Sequence, residues 1–174
     1  DEGIGKTEIF RLLEHHILKT TDHKLGIIHL EEDQETTVKA IATYEDKYPY
    51  VHLQDSSDKK QVLESYKKAL SNDPTRCYIY SSFDVEDEER FMDNIRFLVS
   101  ACGCKFIFLD HITWLATGMD GEDERKKLDR LSQRIKLLAK ELDFCFIMIS
   151  HTNDDGKTRG SRNITKVSNT VIQM

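Results

Sequence analysis

The chain has 174 residues, 39% hydrophobic and 32% charged, with eight glycines and two prolines. That suits one globular core and is too short for two comfortable ones, and no run nears the roughly 18 apolar residues of a membrane span. Thirty-one acidic against 25 basic residues give a formal charge of −6, which excludes nucleic-acid binding through a general positive field; only a local basic site could do it.

No signal-peptide pattern, low-complexity tract or 20–50-residue repeat is visible. Cys102 and Cys104 form a lone C-x-C without a second pair, which argues against zinc. Of the four cysteines, which include Cys77 and Cys145, three sit in or beside apolar runs, which suits reduced core thiols of a cytosol-like compartment.

The chain opens DEGIGKTEIFRLLEHHIL. Gly5-Lys6-Thr7 is the second half of a P-loop, G-x-x-x-x-G-K-[ST], whose first glycine would lie one position before Asp1. Gly3, Ile4, Gly5, Lys6, Thr7 and Glu8 are the expected nucleotide-binding residues. Glycine lets backbone N–H groups close on phosphate, Lys6 would reach the β- and γ-phosphates, and the Thr7 hydroxyl would bind Mg²⁺. Ile9, Phe10, Leu13 and Ile17 then trace one helical stripe, whose N-terminal dipole favours an anion. A P-loop hangs from a central strand, so further chain is expected upstream.

Gly26–Leu30 (GIIHL) reads as a buried strand running into Glu31, Glu32 and Asp33. Glu31, first past the strand, is the candidate general base that orients and deprotonates water, with Glu32 the alternative. Glu32 and Asp33 are otherwise expected to face solvent or start the next helix. Arg76–Tyr80 reads as a second strand, and Phe91, Ile95 and Leu98 as a second helical stripe.

Phe106–Leu109 is an apolar strand ending in Asp110, the form of a Walker B element; Asp110 is expected to hold Mg²⁺. The next residue is His111, so a glutamate at that position is not available as base. Leu128, Leu131, Ile135, Leu138 and Leu142 give a third stripe, with Lys127, Arg130, Arg134 and Lys140 expected on a solvated face.

Phe144–Ile149 is a further strand, followed by Ser150 and His151, where a polar side chain can touch a γ-phosphate. The loop HTNDDGKTRGSRN follows; over His151–Met174, Lys157, Arg159, Arg162 and Lys166 stand against Asp154 and Asp155, a local basic concentration able to meet a polyanion. Thr170–Met174 is expected to be the last strand. Strands alternating with helical periods give an α/β fold, a mainly parallel sheet flanked by helices on both faces.

Taken together, GxGKT, strand-LEE, CYIYSSF, GCKFIFLDHITWL, GEDERKKLDRL, FIMISH and TRGSRNITKVSNTVI resemble the helicase domain of phage primase–helicases of the short-tailed coliphage type, whose relatives include mitochondrial Twinkle and the bacterial replicative helicase DnaB. The resemblance runs over nearly the whole chain. It implies a RecA-like P-loop NTPase core as a single domain, 1–174, of a longer protein. It also implies a hexameric ring, hydrolysis of ATP (or dTTP or another NTP) with Mg²⁺, and movement along single-stranded DNA in a bacterial host's cytoplasm, and it leaves room for a primase domain or partner.

By that resemblance Lys6 and Thr7 match the P-loop pair, Glu31 the catalytic glutamate, Asp110 the Walker B acid and His151 the phosphate-sensing histidine. Asn153, Lys157, Arg159, Gly160, Ser161 and Arg162 match the loops that grip DNA. Lys166 stands where the family has a glutamine, and the loop after His151 is short. The chain stops before the family's trans-acting arginine finger, so weak hydrolysis by this chain alone is expected. A RecA- or clock-type ATPase and a non-enzymatic nucleotide-binding module are the competing classes.

Overall fold

The computed structural model describes residues 5–52, 59–80, 88–113, 124–150 and 162–172. Among them, strands β1 (Lys24–His29), β2 (Cys77–Tyr80), β3 (Cys104–Asp110) and β4 (Cys145–Met148) form one parallel sheet in the order β2-β1-β3-β4. Helices α1 (Lys6–Thr20), α2 (Gln34–Asp46), α3 (Lys59–Ala69), α4 (Glu88–Arg96), α5 (Glu124–Leu142) and α6 (Arg162–Val167) accompany it.

Strand residues alternate between two cores, as a period of two requires. Leu25, Ile27 and Phe108 pack with Phe10, Ile17 and Leu18 of α1, Ile41 of α2 and Ala69 of α3. Ile28, Ile107 and Leu109 pack the other way, with Phe91, Met92 and Ile95 of α4 and Leu128, Leu131, Ile135 and Leu138 of α5. Phe10 meets Phe108 edge to face, ring centroids 5.3 Å apart at 82°.

Gly26 is needed where it stands: a Cβ there would lie 2.6 Å from Ile107 Cδ1 and 3.1 Å from Leu98 Cδ1. Buried Arg76, just ahead of β2, donates to the Leu18 carbonyl at 2.9 Å and to that of Thr21, satisfying the end of α1.

Several expectations need correction. The described part of Thr170–Met174 is not a strand: residues 170–172 pair with nothing in the sheet, Val171 and Ile172 are exposed, and β propensity without a neighbouring strand has nothing to act on. Arg162, read as part of a loop, opens α6, which lays Ile164 against the α4–α5 core. The basic face of α5 is not simply solvated, because Lys127 is buried and Arg130 and Arg134 bind Glu88 at 2.7 Å each. In α1 the stripe is rotated: Ile9 is exposed, and Glu14 and Leu18 are buried. Helices α2 and α3 carried no clear apolar stripe; their contact uses small or isolated residues such as Ala42 and Val62.

Chain order reverses around β1, with β2 on one side and β3 on the other. The carboxyl ends of β1 and β3 therefore border the crevice where open α/β sheets bind ligands.

Candidate active site

Gly5 adopts the left-handed region, φ 78°, and its carbonyl accepts from the Ile9 N–H at 3.0 Å, starting α1. Lys6 is the first residue of that helix and Thr7 the second. The Thr7 hydroxyl donates to Asp110 Oδ2 at 2.9 Å, so the helix start sits at the end of β3. Backbone bonds fix this rim: Leu30 N–H to Asp110 carbonyl at 2.9 Å, Ile149 N–H to Leu109 carbonyl at 3.0 Å, and Ile112 N–H to Ile149 carbonyl at 3.1 Å.

A cavity of about 300 Å³ opens here, lined by Thr7, Arg11, His29, Glu31, Glu32 and Asp110. The two adjacent glutamates have opposite surroundings. Glu31 is half exposed, and its Oε1 lies 2.8 Å from His111 Nε2. The His111 ring is nearly buried, and its Nδ1 meets the Thr113 hydroxyl.

Glu32 turns inward instead of to solvent, which corrects the expectation from its position past the strand. It takes Arg11 at 2.6 Å and His29 Nδ1 at 2.8 Å, and it accepts from the Thr37 hydroxyl at 2.9 Å. His29 Nε2 lies 3.2 Å from Glu14 Oε1, and both of these side chains are almost completely buried. Carboxylates at both ring nitrogens match an imidazolium, which donates from both. Burial pulls the His29 pKa down, but hydrogen bonds and charge from Glu14 and Glu32 outweigh it and raise it to about 9. Burial pushes Glu32 up, and the His29 bond and charge, followed by Arg11, outweigh that and hold it at about 2. Asp33 caps α2 by accepting from the Thr36 N–H at 2.7 Å, the alternative foreseen for it.

The structure thus brings Thr7, Glu31 and Asp110 to one cavity, with Lys6 beside Thr7. Glu8 lies one residue further along α1 and is engaged by Arg11 at 2.6 Å and by the Tyr44 hydroxyl at 2.9 Å. Gly3, Ile4, His151, Asn153, Lys157, Arg159, Gly160 and Ser161 lie outside the described residues, as does the Arg162 side chain; Lys166 is exposed on α6. Arg11, Glu14, His29 and His111 were missed as site residues. Two signals could have found the buried pair: Glu14 lies between Phe10 and Ile17 on the helix stripe, and His29 is an ionisable group inside an apolar strand.

Among the described residues no group of three His, Cys, Asp or Glu is placed to hold a metal ion. What the cavity offers is one hydroxyl and one carboxylate already in contact. Such hard oxygen donors, few in number, fit Mg²⁺, which keeps waters and phosphate oxygens as its other ligands.

Comparison with known proteins identifies the family of the chain and its fold. The chain is 26% identical over 192 residues to a DNA helicase/primase of Enterobacteria phage T3, covering 99% of this chain and 33% of that protein. It therefore spans about a third of that relative's length. It matches the solved structure of a DnaB-like replicative helicase and its interactions with primase with a TM-score of 0.78 at 14% identity, over 96% of this chain and 43% of the other. That likeness carries the fold. Residues 2–166 match the model of the DnaB-like helicase C terminal domain, and the chain belongs to that family.

Proposed function

We propose that the chain is the motor core of a replicative DNA helicase, a RecA-like domain that hydrolyses a nucleoside triphosphate and moves on single-stranded DNA. The observation that carries this is the Thr7–Asp110 contact at 2.9 Å, in a cavity that Glu31 also lines.

Gly3 to Glu8 and the N–H groups at the start of α1 would receive the phosphates, and Lys6 would balance their charge. Thr7 and Asp110 would hold Mg²⁺, which when bound neutralises phosphate charge. Glu31 would accept the proton of the attacking water at a carboxylate oxygen. His151, two residues past Ile149, would sense the γ-phosphate, and the basic loop with Asn153, Lys157, Arg159, Gly160 and Ser161, together with Arg162 at the start of α6, would hold the DNA backbone.

Hydrolysis sites between subunits of a hexameric ring, a place within a longer primase–helicase and work in a bacterial host's cytoplasm belong to the same reading. The T3 relative, a helicase/primase, supports the association with primase. No helix among the described residues is long and apolar enough to cross a membrane.

The test compares Lys6→Ala and Glu31→Gln in nucleotide binding and in hydrolysis with single-stranded DNA. Lys6→Ala should lose both, whereas Glu31→Gln should bind nucleotide and lose roughly 10²–10⁴ in rate. Normal turnover by Glu31→Gln would remove the base assignment. DNA binding should fall steeply with salt and show little sequence preference.

A further inference from the structure

We infer that His111 is a positioning residue for Glu31: its imidazole holds the glutamate carboxylate at the cavity and thereby sets the rate of water activation without touching the nucleotide. This rests on the proposed role of Glu31 as base.

Glu31 cannot fix itself. It follows the end of β1 on a bend, its side chain is about half in water, and its neighbour Glu32 is committed to Arg11 and His29. A half-exposed glutamate samples several rotamers, and a general base works only from a narrow range of positions. His111 supplies the constraint from 80 residues away, with Nε2 at 2.8 Å from Glu31 Oε1.

The histidine is itself fixed. Its side chain is 9% exposed, the Ile112 N–H binds the Ile149 carbonyl at 3.1 Å, and buried Thr113 contacts Nδ1. Hydrogen-bond polarity then determines the direction of the relay. An ionised carboxylate only accepts, so Nε2 must carry the proton that faces Glu31. In a neutral ring Nδ1 then offers its lone pair to the Thr113 hydroxyl, which donates. One carboxylate oxygen is tied to the imidazole, and Oε2 is left to accept from water.

The test uses the complete protein with Mg²⁺, ATP and single-stranded DNA, comparing His111→Ala, His111→Gln, Glu31→Gln and the Glu31→Gln/His111→Ala double variant. Binding of a fluorescent ATP analogue is measured in parallel. His111→Ala should lower kcat at least about tenfold with nucleotide Kd within about twofold, the pattern of an interaction used only in the chemical step. Glutamine retains an N–H donor of similar reach, so His111→Gln should recover most of that loss. Adding His111→Ala to Glu31→Gln should slow it no further, because the two act as one unit.

Unchanged kcat in His111→Ala, equal losses in Ala and Gln, loss of nucleotide binding, or a multiplied defect in the double variant would each overturn the inference while leaving the Glu31 assignment in place. Normal hydrolysis by Glu31→Gln would instead remove the assignment itself, and this inference with it.

Discussion

The Thr7 hydroxyl and the Asp110 carboxylate, 103 residues apart in the chain, meet at 2.9 Å where α1 begins and β3 ends. If that pair holds Mg²⁺, the half-saturating Mg²⁺ concentration for hydrolysis is its direct readout. Thr7→Val and Asp110→Asn should each raise it about tenfold or more, and Thr7→Ser, which keeps the hydroxyl, should stay near the native value. Native Mg²⁺ dependence in Asp110→Asn would show that the pair serves only to join helix and strand.

The buried imidazolium predicts how stability follows pH. His29 binds its proton more tightly in the folded protein, with a pKa of about 9 against an ordinary 6.5. Its contribution is full below pH 6.5 and is lost as pH rises through about 9. Glu32, held at about 2 against an ordinary 4.5, contributes above pH 4.5 and loses that as pH falls through about 2. Urea unfolding between pH 6 and pH 9.5 should therefore show stability declining across the upper window, and His29→Gln should flatten that decline. A native curve that rises over this range would contradict the assigned charge.

At Gly26 the prediction is steric. Gly26→Ala places a methyl group 2.6 Å from Ile107 Cδ1 in a fully buried layer and should cost about 1–3 kcal/mol. For a domain of this size that lowers Tm by roughly 2–4 °C per kcal/mol. Ile107→Val removes the obstructing atom, so the double variant should be more stable than the sum of the two single effects allows. Strict additivity in thermal melts would place the strain elsewhere.

How far the primary structure could be read depended on the range of each interaction. The apolar runs ending at Leu30 and Asp110 located β1 and β3 because continuous burial on both faces leaves a local signature. Thr7 and Asp110 were legible for a similar reason: each belongs to a short motif whose chemistry implies the other. Glu32 was misread because its partner Arg11 lies 21 positions away on another element. His111 registered only as a missing glutamate, since its contact with Glu31 exists only once β1 and β3 are neighbours. The described end of the chain was misread in the opposite sense, Val171 and Ile172 having strand character but no strand among the described residues beside them.

Arg11 joins Glu8 and Glu32, Glu14 meets His29, and the Tyr44 hydroxyl reaches Glu8 from α2. Side chains one helical turn apart on α1 thus mesh with His29 at the end of β1, with Glu32 just beyond it and with α2, like teeth on a rack. Such gearing opposes any roll of the helix about its long axis, since a roll would break several charged contacts together.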